Sequence, residues 1–288
     1  MCCEKTRVTL EVIATTHTKL VQIDHRIGII IMDNYIMKEM SMKKIALVTG
    51  SSRGIGKATA LSLAQDGFDV IINYKSDEKS ANAVVEEIKK LGRESFAVQA
   101  DLSKDDKVEE MFKIITEKVD HLDLVVNNAG FDYAKMIEDY TMEEMRYVVD
   151  LVLIAKFSVT KFALPLLKKS PKASIVNIAS RMGKEKTIET IGAYGPAEAG
   201  VIKFTQCCAL EFSKHKIRVN CVAPGLTRTD LTEGLFDDAT FDAIAKTNPS
   251  HRVGKPQDIA NTISFLASDK SVYINGETIG VNGGSNLG

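Results

Sequence analysis

The stretch KIALVTGSSRGIGKATALSLAQDG (residues 44–67) decides the fold. It opens with a short, continuously apolar run, which predicts a strand buried on both faces. It closes with a segment that puts Ala58, Leu61 and Ala64 on one helical face and stops at Gly67. Between the two lies TGSSRGIG (residues 49–56). Glycines there let the backbone turn tightly and approach a phosphate closely. The helix that follows offers unpaired N–H groups and the positive end of its dipole to an anion. A strand, a glycine turn and a helix in that order predict the first unit of a nucleotide-binding α/β fold.

Downstream the alternation continues. FDVIINY, SFAVQAD, LDLVVNNAG, SIVNIAS, IRVNCVAPG and ETIGVNGG read as further strands. Helical segments stand between them, among them a long one over residues 142–169 that Pro165 is expected to bend or end. Another runs from Tyr194 to about Lys214, with Pro196 in its first turn, where no hydrogen bond is lost. Apolar strands alternating with helices predict a doubly wound parallel sheet covered on both faces. Residues 42–288 form one such domain in this reading. Residues 1–41 fall outside the pattern and are expected to be a peripheral, poorly ordered extension.

Composition narrows the function classes. The 288 residues carry a net charge of −1, so no global field draws the chain to nucleic acid or an anionic membrane. No apolar run reaches the roughly 20 residues of a membrane span. The cysteines Cys2, Cys3, Cys207, Cys208 and Cys221 have neither disulfide-framework nor metal-ligand spacing, which suits a reducing cytoplasm. No metal site is expected.

Several ordered motifs resemble the short-chain dehydrogenase/reductase family, closest to its 3-oxoacyl-carrier-protein reductase branch. TGSSRGIG is similar to the family's coenzyme turn, NNAG (residues 127–130) follows the fourth strand, and APG (residues 223–225) precedes Thr227 and Thr229. RVGKPQDIA, FLASD and YINGETIGVNGG complete the likeness. It implies a coenzyme held by Gly50, Ser52, Arg53, Gly54, Ile55 and Gly56 at the turn and by Asn128, Ala129 and Gly130 after the fourth strand. It also implies contacts from Asp101 and Leu102 at the adenine, and from Pro224, Gly225, Thr227 and Thr229 at the nicotinamide. The second strand ends in Tyr74, Lys75 and Ser76, with no carboxylate to select a ribose 2′-hydroxyl. With Arg53 in the turn, a 2′-phosphate is the better match, so NADP(H) is the expected coenzyme.

The resemblance implies that Tyr194 gives a proton to a substrate carbonyl while Ser180 orients its oxygen. The family has a lysine four residues after the tyrosine, which binds the ribose and lowers the tyrosine pKa. Here that position is Glu198, and Asp150 is expected at the family's helix asparagine. Residues 194 and 198 share a helix face. Two charges about 4 Å apart interact by roughly 4 kcal/mol at an effective dielectric near 20. An anion there therefore raises a phenol pKa that the reaction wants low. Lys203 lies nearly opposite on the helix, whereas Lys184 and Lys186, in the loop after Ser180, could swing in. Glu198→Lys is expected to quicken turnover. Three readings stand side by side: a carbonyl or alcohol oxidoreductase slowed by Glu198, a non-catalytic NADP(H)-binding protein, and an altered reaction with Glu198 as base. The substrate class is a small carbonyl or an acyl thioester. Apolar lid residues over 226–248 name no ligand. The family likeness and apolar positions on the two long helices imply a homo-dimer or homo-tetramer.

Overall fold

A computed structural model describes residues 43–184 and 187–287. All of the elements below lie in the compact unit Lys44–Gly288. The expected extension over residues 1–41 lies outside the described residues. In chain order the elements begin β1 (Lys44–Val48), α1 (Gly54–Gln65), β2 (Phe68–Tyr74), α2 (Glu78–Lys90), β3 (Ser95–Gln99), α3 (Asp105–Lys118) and β4 (Leu124–Asn127). A helical stretch follows: α4 (Met142–Val149), a π-helical turn (Asp150–Ile154) and α5 (Ala155–Leu167). Then come β5 (Ser174–Ile178), the short α6 (Arg181–Lys184), α7 (Tyr194–Phe212) and β6 (Arg218–Pro224). The chain ends with α8 (Asp230–Glu233), α9 (Asp238–Thr247), α10 (Pro256–Ala267) and β7 (Thr278–Val281).

The seven strands form one parallel sheet in the order β3-β2-β1-β4-β5-β6-β7, the Rossmann-like arrangement expected from the alternation. Side chains alternate across it. Ile45 and Leu47 join a core built with Met111, Ile115, Val159, Leu167 and Phe212 from α3, α5 and α7. Ala46 and Val48 join the opposite core with Leu63, Ile88, Ile263 and Leu266 from α1, α2 and α10. Each fully buried aliphatic side chain stabilises this arrangement by about 1.5 to 3 kcal/mol. Connections leave β1 in one direction and β4 in the other, and the carboxyl ends of those two strands open the crevice where such sheets bind ligands.

The helical stretch differs from expectation in a way that matters for the site. Pro165 lies inside α5 and does not end it. The Lys161 backbone that loses a donor is on an exposed turn, where water can serve it. The irregularity sits earlier, at Asp150–Ile154, where the Ala155 N–H donates to Asp150 O five residues back. Such π-turns change the direction in which later side chains point.

Buried asparagines tie the strand ends to the helices. Asn127 Nδ2 donates to Asn177 Oδ1 at 2.8 Å and to Thr160 Oγ1 of α5 at 3.2 Å. Asn177 Nδ2 donates to Thr205 Oγ1 of α7 at 2.9 Å. Unmade bonds here would each cost about 1 to 3 kcal/mol, so this ladder sets where α5 and α7 stand over the sheet.

Candidate active site

The glycine turn is locked from both sides. Gly50 N donates to Asn73 Oδ1 at 3.1 Å, and Ser51 Oγ donates to Val48 O at 2.7 Å. Across the crevice Asn128 Nδ2 donates to Thr49 O and Gly50 O, while the Asn128 and Ala129 amides both donate to Thr49 Oγ1. Gly50 and Gly54 have φ of 60° and 57°, the left-handed region that favours glycine. A Cβ on Gly56 would stand 2.3 Å from Gly50 O. No side chain caps α1, whose first N–H groups stay open beside partly buried Ser52 and Ile55. This cradle fits a pyrophosphate. Gly130, exposed, follows on the β4 side.

At the far end of the crevice Tyr74 and Leu102 are buried and Ser76 is exposed. Lys75 Nζ lies 2.9 Å from Asp101 Oδ2, donates to Tyr147 Oη at 3.0 Å and stands over its ring. These bonds raise the Lys75 pKa. Burial alone would raise that of Asp101, but Lys75 and Ser103 outweigh it and hold the carboxyl below its usual range. Lys75 thus pairs with both Asp101 and Tyr147, while Arg53 stands exposed at the turn.

At the other end, Gly225 N donates to Val281 O, and a Cβ on Gly225 would reach within 2.8 Å of Asn282 Cα. Pro224 closes β6, and Thr227 Oγ1 donates to Gly225 O. Thr229 caps α8 and brings its methyl against Gly54, so this loop meets the glycine turn. Among the apolar lid residues, Leu231 and Leu235 are exposed, while Phe241 is buried under Phe236 and the Arg228 guanidinium.

Tyr194 opens α7, and its phenol lies where Ser180, just after β5, and Glu198 both act on it. Burial, then the Glu198 charge and hydrogen bond, push the Tyr194 pKa well above 10, against the Ser180 bond; Asp132 adds to the rise. Glu198 is 3% exposed, and its Oε2 has no hydrogen-bond partner. Burial pushes its carboxyl up to about 7, while Lys156 and the Tyr194 bond pull the other way.

Lys156 was not among the lysines weighed from sequence. It is 3% exposed, and its Nζ donates to Val152 O at 2.8 Å and Ala129 O at 3.0 Å. The one available signal was a lone lysine inside the apolar run LVLIAKFSV. Of the alternatives, Lys203 is exposed and bonded to Gln206, Lys184 is exposed on α6, and Lys186 lies outside the described residues. Asp150 requires a correction. It is only partly buried, and none of the described contacts joins it to Tyr194, Ser180 or Glu198. Val148 at the end of α4 and Val152 in the π-turn pack with Ala193 and Ala197 of the α7 region instead. Glu198→Lys would place two ammonium groups in one buried site, so the expected gain in turnover no longer follows.

A stability prediction follows from Glu198. Its folded pKa lies above the unfolded value of 4.5, so the stability it contributes is complete below about pH 4.5 and lost as pH rises through about 7. Glu198→Gln should remove that loss. Its melting temperature, relative to the parent chain, should rise by a few degrees at pH 8 and little at pH 4.5. Differential scanning at both pH values checks this, and an equal shift at both would refute it.

A sequence model of the family described as enoyl-(acyl carrier protein) reductase matches residues 50–286. The chain is 42% identical over 243 residues to 3-oxoacyl-(acyl-carrier-protein) reductase FabG of Staphylococcus epidermidis, covering 84% of this chain and 99% of that protein. It is 40% identical to 3-oxoacyl-(acyl-carrier-protein) reductase of Synechocystis sp., covering 84% and 96%. Among solved structures it is similar to the Pseudomonas aeruginosa RhlG/NADP active-site complex, with TM-score 0.80, 31% identity and coverage of 85% and 96%.

Proposed function

The chain belongs to the short-chain dehydrogenase/reductase family, and from that membership we propose that it is an NADP(H)-dependent oxidoreductase that reduces the ketone of a 3-oxoacyl thioester. The observation that carries this reading is the partly buried Tyr194 phenol, on which Ser180 acts at the carboxyl edge of the sheet, beside β4, the strand that ends in Asn127. The relatives' names supply the substrate class, and the RhlG complex supports the coenzyme. Bound in the crevice, the reduced nicotinamide would supply hydride to the carbonyl carbon. The glycine turn and the open amides of α1 hold the phosphates. Ser180 fixes the carbonyl oxygen, and Tyr194 gives it a proton as charge gathers there.

The test is oxidation of NADPH by 3-oxoacyl thioesters and simple ketones. Turnover with thioesters supports the proposal. Saturable NADPH binding without turnover on any of them would point instead to a coenzyme-binding protein in which Glu198 has silenced Tyr194. With Lys75 held by Asp101, Arg53 carries the preference for a 2′-phosphate in this reading. Arg53→Ala is expected to weaken NADPH about 10-fold, the loss of one charge-assisted bond, and to leave NADH affinity unchanged. Fluorescence titration with both coenzymes decides; equal losses for the two would remove Arg53 from the account.

Phe157 and Leu210, exposed on α5 and α7, with Phe204 packed beside Phe157, support a homo-dimer or homo-tetramer through these helices. No helix among the described residues is long and apolar enough to cross a membrane.

A further inference from the structure

Glu198 and Lys156 are two buried ionisable groups that the proposed reaction leaves without a task. Burying either alone is costly, so their retention in one place calls for a reason. Three observations bring them together. Leu153 of the π-turn packs so tightly on α7 that a Cβ on Gly200 would stand 2.8 Å from its Cδ2. Val152, whose carbonyl accepts from Lys156, packs with Ala197, the neighbour of Glu198. Finally, the two charges act on each other: Glu198 works against the burial that lowers the Lys156 pKa, and Lys156 against the burial that raises that of Glu198.

The bonding is incomplete in a complementary way. Two of the three ammonium N–H groups of Lys156 go to backbone carbonyls, and one remains. Glu198 acts on the Tyr194 phenol, and its buried Oε2 has no partner. A donor and an acceptor are thus left over in the space behind the tyrosine.

We propose that Glu198 and Lys156 form a coupled proton reservoir behind Tyr194, with the cation contributed from α5 instead of from position 198. The inference rests on the oxidoreductase reading above. When Tyr194 gives its O–H proton to the substrate oxygen, the carboxylic acid of Glu198 gives its own proton to the tyrosinate oxygen. The phenol is restored and the carboxylate is left, with the Lys156 ammonium stabilising it. Solvent reprotonates Glu198 before the next turnover. Glu198 thereby avoids placing a tyrosinate beside a carboxylate, and Lys156 is a positioning residue that acts through it. The titratable groups facing Glu198 are Tyr194 on the same helix, Asp132 after β4, Lys156 on α5 and Cys221 on β6.

The experiment uses the full chain and two readouts. The first is infrared titration of the protein without coenzyme. A buried carboxyl band should titrate near pH 7 and be missing in Glu198→Gln. In Lys156→Met its midpoint should rise by about one pH unit or more, because the cation that favours the carboxylate is gone. The second is the pH profile of thioester reduction. The parent rate should fall as pH rises through the same midpoint, and Glu198→Gln should lose that limb. Lys156→Met should lower kcat about 100-fold with little change in coenzyme KM. Lys203→Met, on the exposed face of α7, should match the parent chain in both readouts. An unmoved band and kcat in Lys156→Met would overturn the proposal, as would an intact limb in Glu198→Gln even if Lys156→Met failed to fold. Absence of parent turnover with the infrared shift intact would strike the oxidoreductase reading and leave the coupled pair standing.

Discussion

Tyr194→Phe is expected to lower thioester reduction about 1,000-fold or more while NADPH still binds. The substitution removes one oxygen and leaves the ring that packs beside Ala193 and Ala197. That oxygen is the group on which both Ser180 and Glu198 act. Loss of a positioned general acid costs about 100- to 10,000-fold. The effect belongs in the upper part of that range because Ser180 has no comparable acidity and Glu198 reaches the substrate only through the phenol in this account. The loss should appear in kcat, with coenzyme affinity within about threefold of the parent chain, since the interaction is made in the transition state. Single-turnover kinetics at saturating NADPH measures it. A loss below tenfold would mean that another group supplies the proton.

Gly56→Ala should remove coenzyme binding almost completely. The added methyl would stand 2.3 Å from Gly50 O, 2.7 Å from Asn128 Nδ2 and 2.8 Å from Ser51 Cα. Two of these are backbone atoms of the turn itself, and the third is the side chain that clamps the turn to β4. None is the far end of a flexible side chain, so the loop has to open. Opening displaces the amides that face the phosphates and loosens the Asn128 bonds, and overpacking of this kind costs about 1 to 3 kcal/mol in the fold as well. NADPH affinity is expected to drop by at least about 100-fold. The protein should still melt cooperatively, because the clash is confined to the crevice end and leaves both cores untouched. Titration calorimetry with NADPH, alongside a melting curve, separates the two effects. Unchanged affinity would show that the turn does not hold the phosphates.

The strands and the turn were legible residue by residue. Runs such as IALV (residues 45–48) and VII (residues 70–72) are apolar at consecutive positions because both faces of a parallel strand are buried, and the structure places all seven strands where such runs stand. Glycine spacing in TGSSRGIG reads as a turn because few other residues tolerate φ near 60°. Pairings between distant side chains were not legible. Lys75 suggested a phosphate contact on its position after β2; that it also pairs with Asp101 after β3, a partner set by strand order, could not be read from that position. Asp150 was placed by the family likeness, at the helix asparagine. A π-turn runs over Asp150–Ile154, and Val152 faces the site in its stead. Lys156 stayed hidden for the same reason, since its facing depends on the turn before it and on how closely α7 approaches.

Local periodicity, glycine placement and ordered motifs therefore determine the sheet, the coenzyme turn and the presence of Tyr194 and Ser180, because each is encoded within one element or at its end. Whether Glu198 stands alone beside the tyrosine was decided only by tertiary structure. Its counter-charge comes from a helix more than 40 positions earlier in the chain, brought there by the packing of Leu153 on Gly200 and by the buried asparagine ladder. Electrostatic energy depends on distance in space and on the exclusion of water, and neither can be read from separation along the sequence.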